Sequence, residues 1–568
     1  MSTNISKEKR DNLINKIAAI RTYIAEASQD ENTGDFLVYL SELEKEVKSK
    51  KYGLVFEEHR ERIDEILAEN VPILIEEPEL FINNGNHINF LIEGDNLVTL
   101  QLLQKTHSKK VDVIFIDPPY NRGANDFIYD DDYIDKTDLF RHSKYLSFME
   151  KRLKIARQLL KNNGVIVINI DDNEFAQLKL LCDSIFGDEN YLACFPWHNR
   201  TSIQNDTDLS INHEYILAYA KKRRQTNRRL KPSNAKMWFS LDDFVFQPIS
   251  TNEDKFSNPD NDPRGAWKAD PFDAPAIREN LTYEIINPNT GERFLPPKGR
   301  HWRTEQHKYE ALLADGRIVF GKTGRTKPQL KVFLSEVKEK GAIANSWLDA
   351  DVYDTSTSGK KELLKIFPDS EAFDTPKPKK LYIELLKLII SPKVKNPIIL
   401  DFFAGSGTTG HAVMEYNKLH NKHLSYILAT NNQNNICRDV TYERIKRVIK
   451  QEEYSESLKY YRVDFVSKKD EDGNPLFYYD YAPELLEHVR ELVELENGMN
   501  FTDNAENTIV LTDEEADEFF ENVDLLNLCK RLYVGHDVLL TAEQEEMLKS
   551  FKIKLIVIPD YYYKELEG

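Results

Sequence analysis

The 568-residue chain is short of cysteine, of long apolar runs and of positive charge. Its four cysteines, Cys182, Cys194, Cys437 and Cys529, are scattered, with no C-x-x-C pair. That pattern argues against a zinc site and for a reducing cytoplasm. No apolar run reaches the roughly 18 residues of a membrane span, and the charged N-terminus lacks a signal-like apolar core. Neither secretion nor a membrane partner is therefore expected. There is no internal repeat. Acidic residues outnumber basic ones by 95 to 76, a net charge of −19, which alone would disfavour a polyanionic partner. The deficit is local, however. Residues 470–568 carry 25 acidic and 7 basic side chains, a balance of −18, whereas residues 196–331 carry 23 basic and 17 acidic, a balance of +6. Such asymmetry suggests one segment for a polyanion and another for something else.

What is present is enough apolar material, 40% of residues, for real cores, and a length that allows about three or four domains. The most informative stretch is Asp117-Pro118-Pro119-Tyr120. It follows Val111-Asp112-Val113-Ile114-Phe115-Ile116, which suits a strand buried in a parallel sheet. Two prolines cannot donate to a ladder, so the strand ends there, with Asp117 at the carboxyl edge and Tyr120 held beside it. Ligands of open α/β sheets bind at that edge.

A second strand, Ile398-Ile399-Leu400-Asp401, runs into Phe402-Phe403-Ala404-Gly405-Ser406-Gly407-Thr408-Thr409 and then a helix. Gly405 and Gly407 let a ligand approach the backbone closely, and the helix N-terminus offers free N–H groups. No lysine stands between the last glycine and the threonine pair, so this is not a P-loop.

In this order the two motifs resemble those of the DNA amino-methyltransferases of the β class, in which the catalytic motif precedes the cofactor motif. The resemblance covers roughly residues 80–450. It implies a Rossmann-like α/β methyltransferase sheet, circularly permuted and interrupted by a target-recognition domain. It implies catalytic roles for Asp117, Pro118, Pro119 and Tyr120. It also implies S-adenosyl-L-methionine bound by Asp401, Phe403, Ala404, Gly405, Ser406, Gly407 and Thr408. Asp95 and Asn96, after Phe90-Leu91-Ile92-Glu93-Gly94, correspond to the place that faces the cofactor's adenine; read locally, Asp95 is a helix N-cap. Thr375 and Lys377, in Asp374-Thr375-Pro376-Lys377-Pro378, resemble the segment at its methionine end; read locally, they begin a helix. The strand Ser425–Thr430 leads to Asn431 and Asn432 where an acidic residue would ordinarily hold the ribose. Asn431 can still bond a hydroxyl, without charge assistance.

The stretch Asn434-Asn435-Ile436-Cys437-Arg438-Asp439-Val440-Thr441-Tyr442-Glu443-Arg444-Ile445, with the chain length and the C-terminal extension, resembles more narrowly the modification subunit of type III restriction–modification systems. That resemblance implies N6 of adenine in double-stranded DNA as target, a homodimer, and a separate helicase–nuclease subunit. An orphan enzyme, a cytosine-N4 enzyme, a recognition subunit without catalysis, and a methyltransferase for small molecules or proteins remain alternatives.

Five regions are expected. Residues 1–79 read as helices, either a layer covering the enzyme or a dimer-forming hairpin, with Gly34 and Gly53 as breaks. Residues 80–199 form the catalytic half, with a helix over 143–161 stopped by Gly164, a strand Val165–Ile170 and a helix over 173–185. Residues 121–133 resemble a loop that closes over the target base. Residues 200–370 interleave basic and aromatic residues on irregular structure, as DNA contact requires. They include Lys221-Lys222-Arg223-Arg224, Arg228-Arg229, the tryptophans Trp238, Trp267 and Trp302, and a hairpin over Gly316–Arg325. Residues 371–470 form the cofactor half, and residues 471–568 a small acidic α/β module that docks a partner or is merely an accessory.

Overall fold

The computed structural model describes residues 5–26, 33–48, 56–85, 88–123, 128–129, 132–133, 137–203, 208–222, 246, 253–321, 323–338, 344–368, 373–502 and 504–562. Nine strands make one sheet: β1 (Asn70–Glu76), β2 (Ile88–Glu93), β3 (Val111–Ile116), β4 (Leu160–Ile170), β5 (Tyr191–Trp197), β6 (Glu214–Ala220), β7 (Ile398–Asp401), β8 (Ser425–Thr430) and β9 (Ser457–Ser467). Their spatial order is β1-β9-β2-β8-β7-β3-β4-β6-β5. The block from β9 through β4 is parallel, and β1, β5 and β6 pair antiparallel. All six residues of β3 are buried, as a strand covered on both faces requires.

Helices cover both faces of the sheet. Helices Asn96–His107, Arg141–Leu159 and Phe175–Phe186 pack one apolar cluster, and Lys379–Ile389, Thr408–His420 and Glu443–Gln451 pack the other. Strand β7 lies beside β3 in parallel register, with Ile399 opposite Val113 and Leu400 opposite Ile114. Asp117 and Asp401 therefore leave neighbouring strands at the same edge. The insertion between the two motifs places them side by side.

Several expectations need correction. The sheet crosses the boundary expected at 79/80, because β1 pairs with β9 along its whole length. It also crosses the one at 199/200, because β6 fills the place between β4 and β5. Gly164 does not stop a helix: the helix ends at Leu159 and Gly164 lies within β4, where a Cβ would meet the Val111 carbonyl at 3.0 Å. Gly34 lies in the first turn of helix Thr33–Lys48 rather than in a break. Gly53 lies outside the described residues.

In the insert, Ile318–Val319 pairs with Gln329–Leu330, so the hairpin is wider than Gly316–Arg325. Trp302 is fully buried, with Phe272, Ile285 and Tyr309, and its indole N–H donates to the Tyr283 carbonyl. It is core, not a base reader. Arg223, Arg224, Arg228, Arg229 and Trp238 lie outside the described residues, as does part of the stretch 121–133. The C-terminal module is a parallel three-stranded sheet, Asn507–Val510, Arg531–Val534 and Lys554–Val557. Among the described residues no helix is long and apolar enough to cross a membrane.

Candidate active site

Past β3 the chain turns through Pro118 and Pro119 and buries Tyr120. The Tyr120 hydroxyl donates to Asp117 Oδ1 at 2.9 Å, with Glu214 Oε2 a second acceptor 3.3 Å from the same hydroxyl oxygen. Lys377 Nζ lies 2.9 Å from Asp117 Oδ2 and 3.5 Å from Glu214 Oε2. Both oxygens of Asp117 thus already have a donor. Arg122 closes the group, 2.7 Å from Asp171 and 3.5 Å from Glu214, with its guanidinium 4.7 Å from the Tyr120 ring centroid. Burial, then Asp117 and Glu214, push the Tyr120 phenol well above its ordinary range, so it remains a donor. Burial lowers the Lys377 ammonium, but Asp117 and Glu214 outweigh it and leave the pKa above that of an ordinary lysine.

Asn121 follows in left-handed backbone, φ 56°, with its side chain fully buried. Its amide donates to Glu174 Oε1 at 2.6 Å, and His142 Nδ1 lies 2.6 Å from the same oxygen. Burial raises the Glu174 carboxyl to about 8, against the pull of Asn121 and Arg141.

The glycine loop approaches this group through Lys377. The Lys377 carbonyl accepts from Thr408 Oγ1 at 3.3 Å while its ammonium reaches Asp117. Gly405 and Gly407 have φ of +47° and +74°, and a Cβ on Gly407 would lie 3.3 Å from Thr441. Two residues hold the loop from behind. Thr441 Oγ1 donates to the Gly405 carbonyl at 2.5 Å. Arg444 Nη1 donates to Thr408 Oγ1 at 2.7 Å, to the Ser406 carbonyl at 3.2 Å and to the Ser406 hydroxyl at 3.3 Å. Thr441 belongs to a π-helical turn, Ile436–Tyr442, a form that often marks functional sites. Asp401 accepts from Thr409 Oγ1 at 2.5 Å and from the Phe403 N–H at 3.0 Å, and burial raises its carboxyl to about 7.

The remaining expected residues lie around this edge without joining the central group. Asp95 caps helix Asn96–His107 through the Leu97 N–H at 2.7 Å, and Asn96 accepts from Arg152 at 2.5 Å. Asn431 and Thr375 are exposed. Asn432, not Asn431, receives the N–H groups of Cys437 and Arg438. Phe403 is half-buried and Ala404 buried in the loop. Glu214, Glu174, Thr441 and Arg444 were missed in the sequence. Glu214 opens a strand beyond an irregular stretch, and no local spacing links it to Tyr120. Elsewhere, His411, Glu415 and Glu452 could converge on a cation, but Lys379 already stands among them, 2.6 Å from Glu415 and 3.4 Å from His411.

The DNA methylase family matches residues 111–440, which span both motifs and the insert between them. The chain belongs to this DNA methylase family. It is 35% identical over 425 residues to the type III restriction-modification enzyme StyLTI Mod subunit of Salmonella typhimurium, covering 69% of this chain and 59% of that one. It is 30% identical over 458 residues to the EcoP15I Mod subunit of Escherichia coli, covering 70% and 69%. It is also 30% identical over 351 residues to the type II methyltransferase M.KpnI of Klebsiella pneumoniae, covering 57% and 76%. The methylase thus spans about three-fifths, 59%, of the length of the StyLTI subunit.

Proposed function

We propose that this methylase transfers a methyl group from S-adenosyl-L-methionine to N6 of a flipped adenine in double-stranded DNA. It does so in the cytoplasm as the modification and recognition subunit of a type III restriction–modification system. The observation that carries this reading is Lys377, whose carbonyl holds the glycine loop while its ammonium holds Asp117. One residue joins a loop suited to a nucleoside to a carboxylate suited to an amine.

The donor fits the residues present. The backbone of Phe403 to Thr408 is bare at two positive-φ glycines. In this reading Asp95, Asn96 and Asn431, just past the ends of β2 and β8, take the adenosine part, and Asp401, Thr375 and Lys377 the remainder. When bound, the donor supplies an electrophilic methyl on a good leaving group.

The chain's own task is to prepare the amine, whose lone pair is delocalised into the base. Asp117 and the Pro118 carbonyl accept its two N–H groups, which localises the lone pair and aims it. Each Asp117 oxygen still has a lone pair beyond those taken by Tyr120 and Lys377. Pro119 fixes the turn, and Tyr120 packs beside the base while its hydroxyl orients Asp117. Alignment supplies much of the rate. Flipping the base costs a few kcal/mol, which contacts from the insert offset. In this reading the protein is a homodimer, a separate helicase–nuclease chain does the ATP-driven work, and the N-terminal hairpin or acidic module docks it.

The match to M.KpnI, a type II methyltransferase, favours a second reading in which the methylase acts without that partner. The test is transfer of a labelled methyl to mixed genomic DNA, followed by nucleoside analysis. Label in N6-methyladenine is expected. Label in N4-methylcytosine would move the target to cytosine, and DNA binding without incorporation would leave a recognition subunit only. An adjacent open reading frame with helicase motifs separates the type III reading from the independent one.

A further inference from the structure

Arg444 is fully buried, and its guanidinium is bonded to neutral oxygens only: the Ser406 carbonyl and hydroxyl and the Thr408 hydroxyl. Its Nη2 faces His411 Nδ1 at 3.5 Å. Burial lowers the His411 imidazole to about 4, so that ring is neutral near pH 7. Among the described residues no carboxylate reaches Arg444 within ion-pair distance, and its Nε has no partner. Glu362 and Glu452 act on it from farther away. Glu452 is engaged by His411 at 3.2 Å and Tyr454 at 2.5 Å, and Glu362 accepts the Lys379 N–H at 3.1 Å. Burial brings the guanidinium down to about 10, which still leaves it charged at neutral pH.

Buried cations in proteins are ordinarily paired, because an isolated one loses its hydration with nothing in return. Arg444 lies under the N-terminus of helix Thr408–His420, whose free N–H groups already favour an anion. Three neighbouring cations are each matched by a carboxylate: Lys377 by Asp117 and Glu214, Arg122 by Asp171, Arg152 by Glu61. A positive charge without a direct carboxylate partner therefore lies behind the glycine loop. By pulling the Ser406 carbonyl inward, Arg444 also keeps that dipole from facing a ligand.

We propose that Arg444 is a positioning residue whose charge, held without a direct carboxylate partner, sets the affinity of the glycine loop for the carboxylate end of the methyl donor, acting through the loop without touching the ligand. This rests on the donor reading above and deepens it. The donor carries one carboxylate, on its amino-acid end, and its nucleoside end carries none. A residue that merely braced the loop would support both ends alike.

The experiment is calorimetric titration of the full chain with two probes, S-adenosylhomocysteine, which has the amino-acid end, and 5′-methylthioadenosine, which lacks it. Arg444→Gln keeps an amide donor toward the loop and removes the charge. It should weaken S-adenosylhomocysteine about tenfold while 5′-methylthioadenosine changes by no more than about twofold. Arg444→Lys keeps the charge and loses the fork, so the ratio of the two affinities should stay near that of the unmodified protein. Thr441→Val loosens the strap on Gly405 without altering charge and should weaken both probes together. Equal losses for both probes in Arg444→Gln, or a collapsed ratio in Arg444→Lys, would overturn the proposal. If the unmodified protein bound neither probe, the donor reading would fail first and this inference with it.

Discussion

Lys377 and Lys459 are both withdrawn from water, and each lies between two carboxylates. Lys377 stands at the carboxyl edge of the sheet against Asp117 and Glu214; Lys459 lies between β9 and helix Val489–Asn497 against Glu494 and Glu76. The difference is in the partners. Asp117 keeps 26% of its side-chain surface exposed, whereas Glu494 keeps 1%. Glu494 also accepts from the Tyr461 hydroxyl at 2.8 Å and the Phe501 N–H at 2.7 Å, and Asn500 gives Lys459 a further acceptor at 2.9 Å. The Lys377–Asp117 pair has a face open to solvent, and the Lys459–Glu494 pair is closed, with only the outer partner Glu76 reaching the surface. The same chemistry suits a reactive centre, as proposed, where Asp117 meets open space, and a joint between the acidic module and the sheet where Glu494 does not.

The sharpest test of the open pair is Asp117→Ala. It should reduce methyl transfer by at least about a thousandfold while donor binding, followed by calorimetry, changes little. Gly405→Val should do the opposite, because a β-branched residue at φ +47° is strained and its Cβ would stand 3.4 Å from Phe373. Comparable loss of donor binding in both variants would mean that Asp117 touches both ligands.

The closed pair is tested by Lys459→Met, which strands Glu494 and Glu76. We expect a loss of about 3–5 kcal/mol in urea unfolding. Lys377→Met should cost less than about 2 kcal/mol in the same assay, because Asp117 can hydrate, yet lower the transfer rate more than tenfold. Similar unfolding costs for the two lysines would erase the distinction between them.

The smallest effect concerns pH. The Glu174 carboxyl, raised to about 8, is protonated more readily in the folded than in the unfolded chain. Its contribution to stability is therefore complete below the ordinary carboxylate range and is lost as pH rises toward 8. Glu174→Gln should flatten the fall in stability between pH 5 and pH 8 by on the order of 1–2 kcal/mol, read from denaturation at both values. An unchanged slope would assign that fall to Asp401 or another group.

What is local in this fold is legible in the sequence. The buried run before Asp117, the double proline, and the paired glycines before a helix each state their geometry within a few residues. Glu214 meets Tyr120 across 94 positions, and Arg444 meets Ser406 across 38, so neither contact has a sequence pattern. Trp302 resembled a base reader because its neighbours are charged, yet Arg300 pairs with Asp273 and the indole turns inward. The acidic tail is expected as a small module that docks a partner or is an accessory. Val489, Leu492 and Val493 share a cluster with Val98 and Leu102 of the sheet's helix layer. A deletion at 471 would expose that cluster as well as Lys459, so docking is better tested by substituting exposed Phe477 and Tyr479.

The adjacency of β3 and β7 also governs how the chain is made. During synthesis β3 emerges with β2 and β4, but its neighbour β7 follows about 280 residues later, roughly 15–60 s at ribosomal rates. For that interval the apolar edge of β3 has no strand to pair with, while the intervening insert, with its own small core, can already fold. Such an exposed edge invites pairing with another nascent chain. Slowing translation within residues 221–397 should then lower soluble yield, whereas slowing it after residue 467 should not.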